Sequence, residues 1–180
     1  MPPRIARLYE TRDTCMQLPR HVDPRKFCAQ GVRLQGFIPA AELTRLATAA
    51  IAAGERVEVE LDFSQDAERR CILEGRFSLT ATLQCQRCLG PYDEELQEAF
   101  CFAIVWDEER AAVLPKRLDP WLVAEESADL YELVEDEILL SLPIVAFHPE
   151  DSCPREGSYS TGEAEQSREN PFNILAQLKK

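Results

Sequence analysis

The stretch VEVELDF, residues 57–63, has the clearest β-strand pattern in the chain. Its apolar side chains, at the odd-numbered positions, alternate strictly with acidic ones, and a period of two residues is typical of a β-strand with one buried face. The stretch CILEGRFSLTATLQC, residues 71–85, has most of its apolar side chains at odd-numbered positions too, after a polar turn at 64–68. Because short turns join antiparallel neighbours, the two stretches predict a hairpin.

A further strand is predicted over Tyr92 to Trp106, which ends in the longest apolar run of the chain, AFCFAIVW. Weaker β-propensity follows Gly31, in VRLQGFI, and predicts one more strand. These stretches predict an α+β fold with an antiparallel sheet of about five strands, either open or curled toward a barrel, and helices packed against it. Residues 107–128 are acidic and have little periodicity, so we expect a flexible excursion there.

Three helices are predicted from capping residues and apolar spacing. Asp23 and Pro24 start a short helix that Gly31 ends. A second is predicted over 39–53. The third begins at Asp129, places Leu130, Val134, Ile138 and Leu142 on one face, and stops at Pro143.

The chain divides by composition into a body and a tail. Residues 1–148 are predicted to form a single domain. Residues 149–170 are rich in Ser, Glu, Gly and Pro, which predicts a flexible acidic linker. Residues 171–180 regain apolar side chains, and Phe172 with its neighbours is predicted to be a docking segment that packs on the body or binds a partner.

Charge is distributed unevenly along the chain. The net charge is −12, yet residues 1–35 hold seven basic and three acidic residues, so the remainder carries −16. Phosphate contact needs Lys and Arg, so an RNA contact is expected only near the N-terminus, with Arg20, Arg25 and Lys26 as candidates. Alternatively, these are ordinary solvated charges, and the acidic body binds a basic partner.

One face of the third helix carries Asp129, Glu132 and Asp136, at positions i, i+3 and i+7. Such a carboxylate row is most often a solvated face, and contact with a basic partner is the functional alternative. A third interpretation is that the carboxylates bind a metal ion and assist RNA cleavage. No nucleophile elbow or phosphate-binding glycine loop accompanies them, so no catalytic residue, cofactor-binding residue or small-molecule substrate is predicted.

The sharpest short motif is Cys85-Gln86-Arg87-Cys88, whose spacing brings two thiolates within reach of one zinc ion. His148 and Cys153 are the candidates that would complete a Cys3His site. The alternatives are that Cys85 packs as a small apolar residue at a strand end, or that the two cysteines form a redox pair. Seven cysteines without an export signal indicate reduced thiols or metal ligands and a cytoplasmic protein. No apolar run reaches the length of a membrane span, so no membrane contact is expected.

Three sequence segments, taken in their order along the chain, resemble those of the bacterial YceD family, the large ribosomal RNA subunit accumulation proteins. They are LQCQRC at 83–88, VEDEILLSLP at 134–143 followed by His148, and NPFNILAQLK at 170–179. The resemblance implies a non-enzymatic role in the synthesis, processing or stability of 23S ribosomal RNA. The implied partners are that RNA or the precursor of the large subunit, and a basic ribosomal protein is the alternative. Some members of the family have a cysteine-rich ribbon after the Leu-Pro helix end, where this chain has only His148 and Cys153.

Overall fold

A mixed six-stranded sheet forms the centre of the molecule. The structure, a computed structural model, describes residues 16–149 and 152–153. Five strands follow the order β2-β4-β5-β6-β7, and a short strand, β3, also pairs with β5. The strands are β1 His21–Val22, β2 Arg33–Pro39, β3 Ala52–Ala53, β4 Arg56–Gln65, β5 Cys71–Gln84, β6 Pro91–Val105, β7 Asp119–Leu122 and β8 Ala128–Asp129. The helices are α1 Pro24–Gln30, α2 Leu46–Ala49, α3 Glu108–Ala112 and α4 Leu130–Ser141, with a 3₁₀ turn at Ala40–Glu42.

The hairpin predicted from the alternating stretches is confirmed. β4 pairs antiparallel with β5, and Leu61 lies opposite Gly75. Every odd-numbered residue of β4 from Val57 to Phe63 is buried, as a strand with one covered face requires. β6 continues the antiparallel series along the whole of β5. The α+β class is therefore confirmed.

The sheet differs from the prediction in one strand and in its closure. β7 pairs parallel with β6, so the sheet is mixed instead of wholly antiparallel. Parallel neighbours need a connection of about a dozen residues or more, and residues 106–118 provide it. This connection contains α3, which Asp107 caps by accepting a hydrogen bond from the backbone N–H of Arg110. Within the described residues the ladder runs from β2 to β7 without pairing the two ends, so the curled alternative, a closed barrel, is not formed.

Residues 107–128 are therefore not a structureless excursion. They contain α3, β7 and the start of a two-stranded ribbon in which β8 pairs with β1. The backbone N–H of Val123 also donates to the carbonyl of Val105, at 2.8 Å. Partners far away in sequence supply these bonds, which is why the local composition suggested none.

The long helix predicted over residues 39–53 is wrong. The segment instead contains the 3₁₀ turn, the single turn of α2 and the strand β3. Its apolar residues Leu43, Leu46 and Ala50 are buried as the helical spacing suggested. The helix is interrupted because β3 pairs with β5 instead, and the N–H of Ile51 donates to the carbonyl of Thr82.

Helices α1 and α4 form as their capping residues predict. The Asp23 carboxylate accepts from the backbone N–H of Lys26, and Gly31 ends α1 at a φ of 64°, the left-handed region that glycine adopts without strain. Asp129 caps α4 by accepting from two backbone N–H groups. Leu130, Val134 and Ile138 are fully buried in the same core as the odd-numbered face of the sheet. In the part of the chain described, no helix is long and apolar enough to cross a membrane.

Candidate functional site

The Cys-x-x-Cys motif forms the tight connection between the two longest strands. β5 ends at Gln84 and β6 begins at Pro91, and the intervening turn is closed by its own backbone. The N–H of Cys85 donates to the carbonyl of Gly90 at 2.9 Å, and the N–H of Leu89 donates to the carbonyl of Cys85 at 2.8 Å. Leu89 has a φ of 61°, a left-handed conformation that costs a non-glycine residue about 1–2 kcal/mol. The turn is therefore held in a strained, compact shape.

The chain after α4 crosses this turn and brings the other two candidate ligands to it. The N–H of Gln86 donates to the carbonyl of Ala146 at 2.8 Å. The ring of His148 packs against Tyr92, with 5.1 Å between centroids, and the Arg87 guanidinium lies 5.0 Å from the centre of the Phe147 ring. These contacts fix the strand-end turn and the post-helix segment against each other.

All four predicted metal ligands converge. The Sγ atoms of Cys85 and Cys153 lie 4.0 Å apart, and Sγ of Cys88 lies 3.4 Å from Nδ1 of His148. One ligand atom from each of the four side chains lies within 4.8 Å of the others. Cys85 and Cys153 are buried, and the other two are half-buried. Three sulfurs and an imidazole nitrogen in this arrangement are a donor set that suits zinc.

The environment of Cys85 favours its charged form. Burial acts to raise the pKa of this thiol, but hydrogen bonds from the backbone N–H groups of Cys88, His148 and Arg87 outweigh it and lower the pKa to about 5. Burial and the adjacent sulfurs of Cys88 and Cys85 raise the pKa of the Cys153 thiol. The surroundings therefore favour the thiolate form of Cys85 and the protonated form of Cys153.

The three cations predicted to contact RNA are exposed, but they already have partners within the protein. Nε of Arg20 donates to Asp129 at 2.9 Å, and Nζ of Lys26 lies 2.9 Å from the carboxylate of Asp23. Arg25 instead stacks over the Trp106 ring, 4.3 Å from its centre. Phosphate would therefore compete with carboxylates at Arg20 and Lys26, whereas Arg25 has no carboxylate partner among the described residues.

The predicted acidic face divides between structural and exposed carboxylates. Asp129 caps α4 and pairs with Arg20, and Asp136 pairs with Arg45. Partial burial acts to raise the pKa of the Asp129 carboxyl, but Arg20 and the backbone N–H groups of Glu132 and Tyr131 together lower it. Glu132 is exposed, and its carboxylate has no ion-pair partner in the described part of the chain. Of the three predicted carboxylates, Glu132 is therefore the one available to a partner.

A groove beside α4 joins these acids to apolar side chains. It has a volume of about 330 Å³. Its walls combine one side of α4 with the segment that connects β7 to β8. The lining residues include Trp121, Val123, Asp129, Glu132, Leu133 and Asp136. All three acidic residues predicted for partner contact thus border one concave surface.

Sequence reasoning missed one pair that organises this region, Arg45 and Glu135. Glu135 is only 6% exposed, although it lies in the acidic stretch of α4. Its carboxylate accepts from the backbone N–H groups of Arg45 at 2.7 Å and Leu46 at 3.1 Å, and from Nε of Arg45 at 2.9 Å. No local pattern in the sequence indicates this pair, because Arg45 and Glu135 are 90 residues apart.

The last predicted contact residue, Phe172, and segment 171–180 lie outside the described residues.

The fold and this cluster define a small α+β protein with an open mixed sheet and a group of three cysteines and one histidine beside the β5–β6 turn. The chain belongs to the YceD family: residues 73–179 match the family described as large ribosomal RNA subunit accumulation protein YceD. A relative of that name from Haemophilus influenzae is 31% identical over 169 residues, which are 91% of this chain and 97% of the relative. No solved structure matches the chain.

Proposed function

We propose that this protein is a non-enzymatic factor in the biogenesis of the large ribosomal subunit that supports the synthesis, processing or stability of 23S ribosomal RNA. One observation carries the proposal: the similarity to the curated relative named for large ribosomal RNA subunit accumulation extends over 91% of the chain. A similarity of that extent includes the sheet, α4 and the cysteine cluster together. The partner is the 23S RNA or the particle that contains it, in the cytoplasm.

The proposed RNA contact lies in the N-terminal basic segment, with Arg25 at its centre. A guanidinium stacked on an aromatic ring keeps its N–H groups at the edge free to donate to phosphate oxygens. Arg20 and Lys26 add positive charge beside it, although each is partly neutralised by a carboxylate. Residues 36–180, which together carry the −16 charge, would contribute little to RNA binding.

A second candidate function is supported by the groove beside α4. Its mixture of an unpaired carboxylate, Glu132, and apolar walls from Trp121 and Leu133 suits a lysine or arginine stem with a charged end. This surface would make the protein an acidic adapter or chaperone for a basic ribosomal protein. The two candidates differ in what remains bound when RNA is removed.

The arrangement of the acidic helix argues against a metal-assisted RNA-processing enzyme. Such an enzyme needs free carboxylates that converge on one cation. Here Asp129 and Asp136 are bound to arginines, and Glu135 is bound to backbone N–H groups. Among the residues that the structure describes, the cysteine cluster is the only group of three or more ligand-type side chains close enough to share a metal ion.

Depletion of the protein in its own host tests the proposal. We expect the amount of 23S RNA to fall relative to 16S RNA, and expression of the wild-type chain to restore it. Purified protein incubated with ribosomal RNA should leave the RNA uncleaved, with or without divalent metal. An unchanged 23S to 16S ratio after complete depletion would refute the proposal, and turnover of RNA would replace it with the enzyme.

Affinity purification with and without nuclease separates the two candidate functions. If the protein binds RNA, ribosomal RNA should be recovered with it, and ribosomal proteins should be lost after nuclease treatment. If it is an adapter, one basic protein should remain after nuclease treatment and should be lost in Glu132→Lys. Glu109→Lys is the matched control, because this exposed acid lies on α3 and does not line the groove.

A further inference from the structure

We infer that Cys85, Cys88, His148 and Cys153 bind one Zn²⁺ ion, as a closed structural site. Around a tetrahedral zinc ion, two sulfurs lie about 3.8 Å apart, and a sulfur and a nitrogen lie about 3.6 Å apart. The corresponding separations here are 4.0 Å for Cys85 and Cys153 and 3.4 Å for Cys88 and His148. The inference rests on this geometry and is independent of the proposed role in ribosome biogenesis.

The donor set selects zinc over the other common metals. Three thiolates and one imidazole are soft or borderline ligands, which suit Zn²⁺ and disfavour Mg²⁺ and Ca²⁺. Four ligand atoms that all lie within 4.8 Å of each other surround a single ion, and an iron–sulfur cluster would need a wider cavity. Because the protein supplies all four ligands, no coordination position is left for water or substrate. The site is therefore structural in character.

A dithiol or disulfide explains the cluster less completely. A disulfide between Cys85 and Cys153 would require their sulfurs to approach from 4.0 Å to about 2.05 Å. It would leave Cys88 and His148 beside each other with no reason to converge on the same point. A single ion accounts for all four side chains together.

The ion would fasten a segment that apolar burial does not hold. After α4 the chain exposes its large apolar side chains: Ile144 is 97% exposed, and Val145 and Phe147 are more than two-fifths exposed. Cys153 is nevertheless buried, against the turn that carries Cys85. Two ligands come from the turn between β5 and β6 and two from the segment after α4. Zinc would therefore join these two parts of the chain.

The first test measures zinc directly. Protein expressed in zinc-containing medium and purified without chelator should contain about one zinc per chain by elemental analysis. Cys88→Ser and Cys153→Ser should each lose most of it, whereas Cys101→Ser should keep it, because Cys101 is an exposed thiol of β6 outside the cluster. A folded wild-type protein that contains no zinc, and takes up none from added Zn²⁺, would overturn the inference.

A second measurement covers variants that fail to fold. Cobalt substituted into the wild-type protein should give the intense visible absorption of tetrahedral thiolate-bound Co²⁺, and added zinc should bleach it. Removal of zinc by EDTA should accelerate hydrogen exchange at residues 143–149 and at 85–90, and should lower the melting temperature. Cobalt spectra without thiolate bands, or exchange that EDTA leaves unchanged in both segments, would contradict the site.

Discussion

Among single residues, Glu135 differs most from its neighbours on α4, because its carboxylate is buried and hydrogen-bonded whereas Glu132 and Asp136 of the same helix are exposed. It lies on an acidic helix but accepts from the backbone N–H groups of Arg45 and Leu46 at the start of α2, which have no acceptor within that helix. It thus caps α2 from another element. A surface acid on the same helix would contribute little to stability.

We therefore predict that Glu135→Ala destabilises the protein by about 2 kcal/mol, since it strands two backbone donors and one guanidinium contact. Glu135→Gln should lose less, because the amide oxygen still accepts from backbone N–H groups. Urea unfolding measures both. The control is Glu132→Ala, an exposed acid three residues earlier, which should cost under about 0.5 kcal/mol. Equal losses at the two positions would show that the buried contact is not formed.

Asp129 predicts a pH dependence. Its pKa is lowered in the folded protein, chiefly by Arg20 and the backbone N–H groups that it caps, in spite of its partial burial. A lowered carboxyl pKa means that the stabilisation is present above the unfolded pKa, near 4, and is lost as pH falls through the folded value. Asp129→Asn keeps an acceptor for the cap but has no charge.

We expect wild type to exceed Asp129→Asn in stability at pH 7, and the difference to shrink steadily between about pH 5 and pH 2. The difference should stay below about 1 kcal/mol, because Arg20 is half exposed to solvent. Thermal unfolding across this range measures it, and Glu125→Gln should run parallel to wild type. A difference that is constant with pH would assign the effect to packing.

At the scale of elements, the N-terminal segment lies so close to β2 that only glycine fits between them. Gln17 forms a parallel bridge with Phe37, whose N–H donates to the carbonyl of Met16 at 2.9 Å. A Cβ on Gly36 would lie 2.2 Å from that carbonyl oxygen, and a backbone atom cannot rotate away. This close contact with β2 positions the segment that leads to Arg20.

Gly36→Ala should therefore displace the segment at 16–18 from β2 and cost about 1–3 kcal/mol in the free energy of unfolding. Hydrogen exchange should accelerate at Leu18, whose N–H donates to the carbonyl of Phe37, and at Phe37, whose N–H donates to the carbonyl of Met16. Gly54→Ala is the matched control, because its Cβ would meet its nearest neighbour, the carbonyl of Thr80, at an ordinary 3.5 Å. Comparable losses for the two variants would mean that the approach is looser than described.

Elements that depend on interactions between residues close in sequence were predictable, and those that depend on contacts between residues far apart in sequence were not. The alternation at 57–63 and the cap at Asp129 act within one strand or one helix turn, and both predictions are confirmed. The segment at 39–53 has helical spacing and buries the expected residues, yet β3 and Glu135 divide it. For the cysteine cluster, spacing identified the ligand types, but their convergence depends on how α4 returns the chain to the β5–β6 turn.

For the whole molecule, the uneven distribution of positive and negative charge along the chain determines which part can bind RNA. The first 35 residues are net positive and the remainder is strongly negative, so approach to RNA is favourable only through one end. Each phosphate contact releases condensed counterions, which makes the affinity fall as salt rises. The salt dependence therefore counts the contacts and, with matched variants, locates them.

The double variant Arg25→Ala/Lys26→Ala should weaken RNA association and reduce the slope of log affinity against log salt by about 1.4–1.8, the value for two lost phosphate contacts. Lys116→Ala/Arg117→Ala removes the same charge from an adjacent exposed pair in the loop before β7. This control should change neither quantity, because it leaves the N-terminal segment intact. Fluorescence anisotropy with a labelled 23S fragment across a salt series measures both. Equal weakening by the two variants would show that net charge matters and location does not, and no weakening by either would place the RNA contact elsewhere.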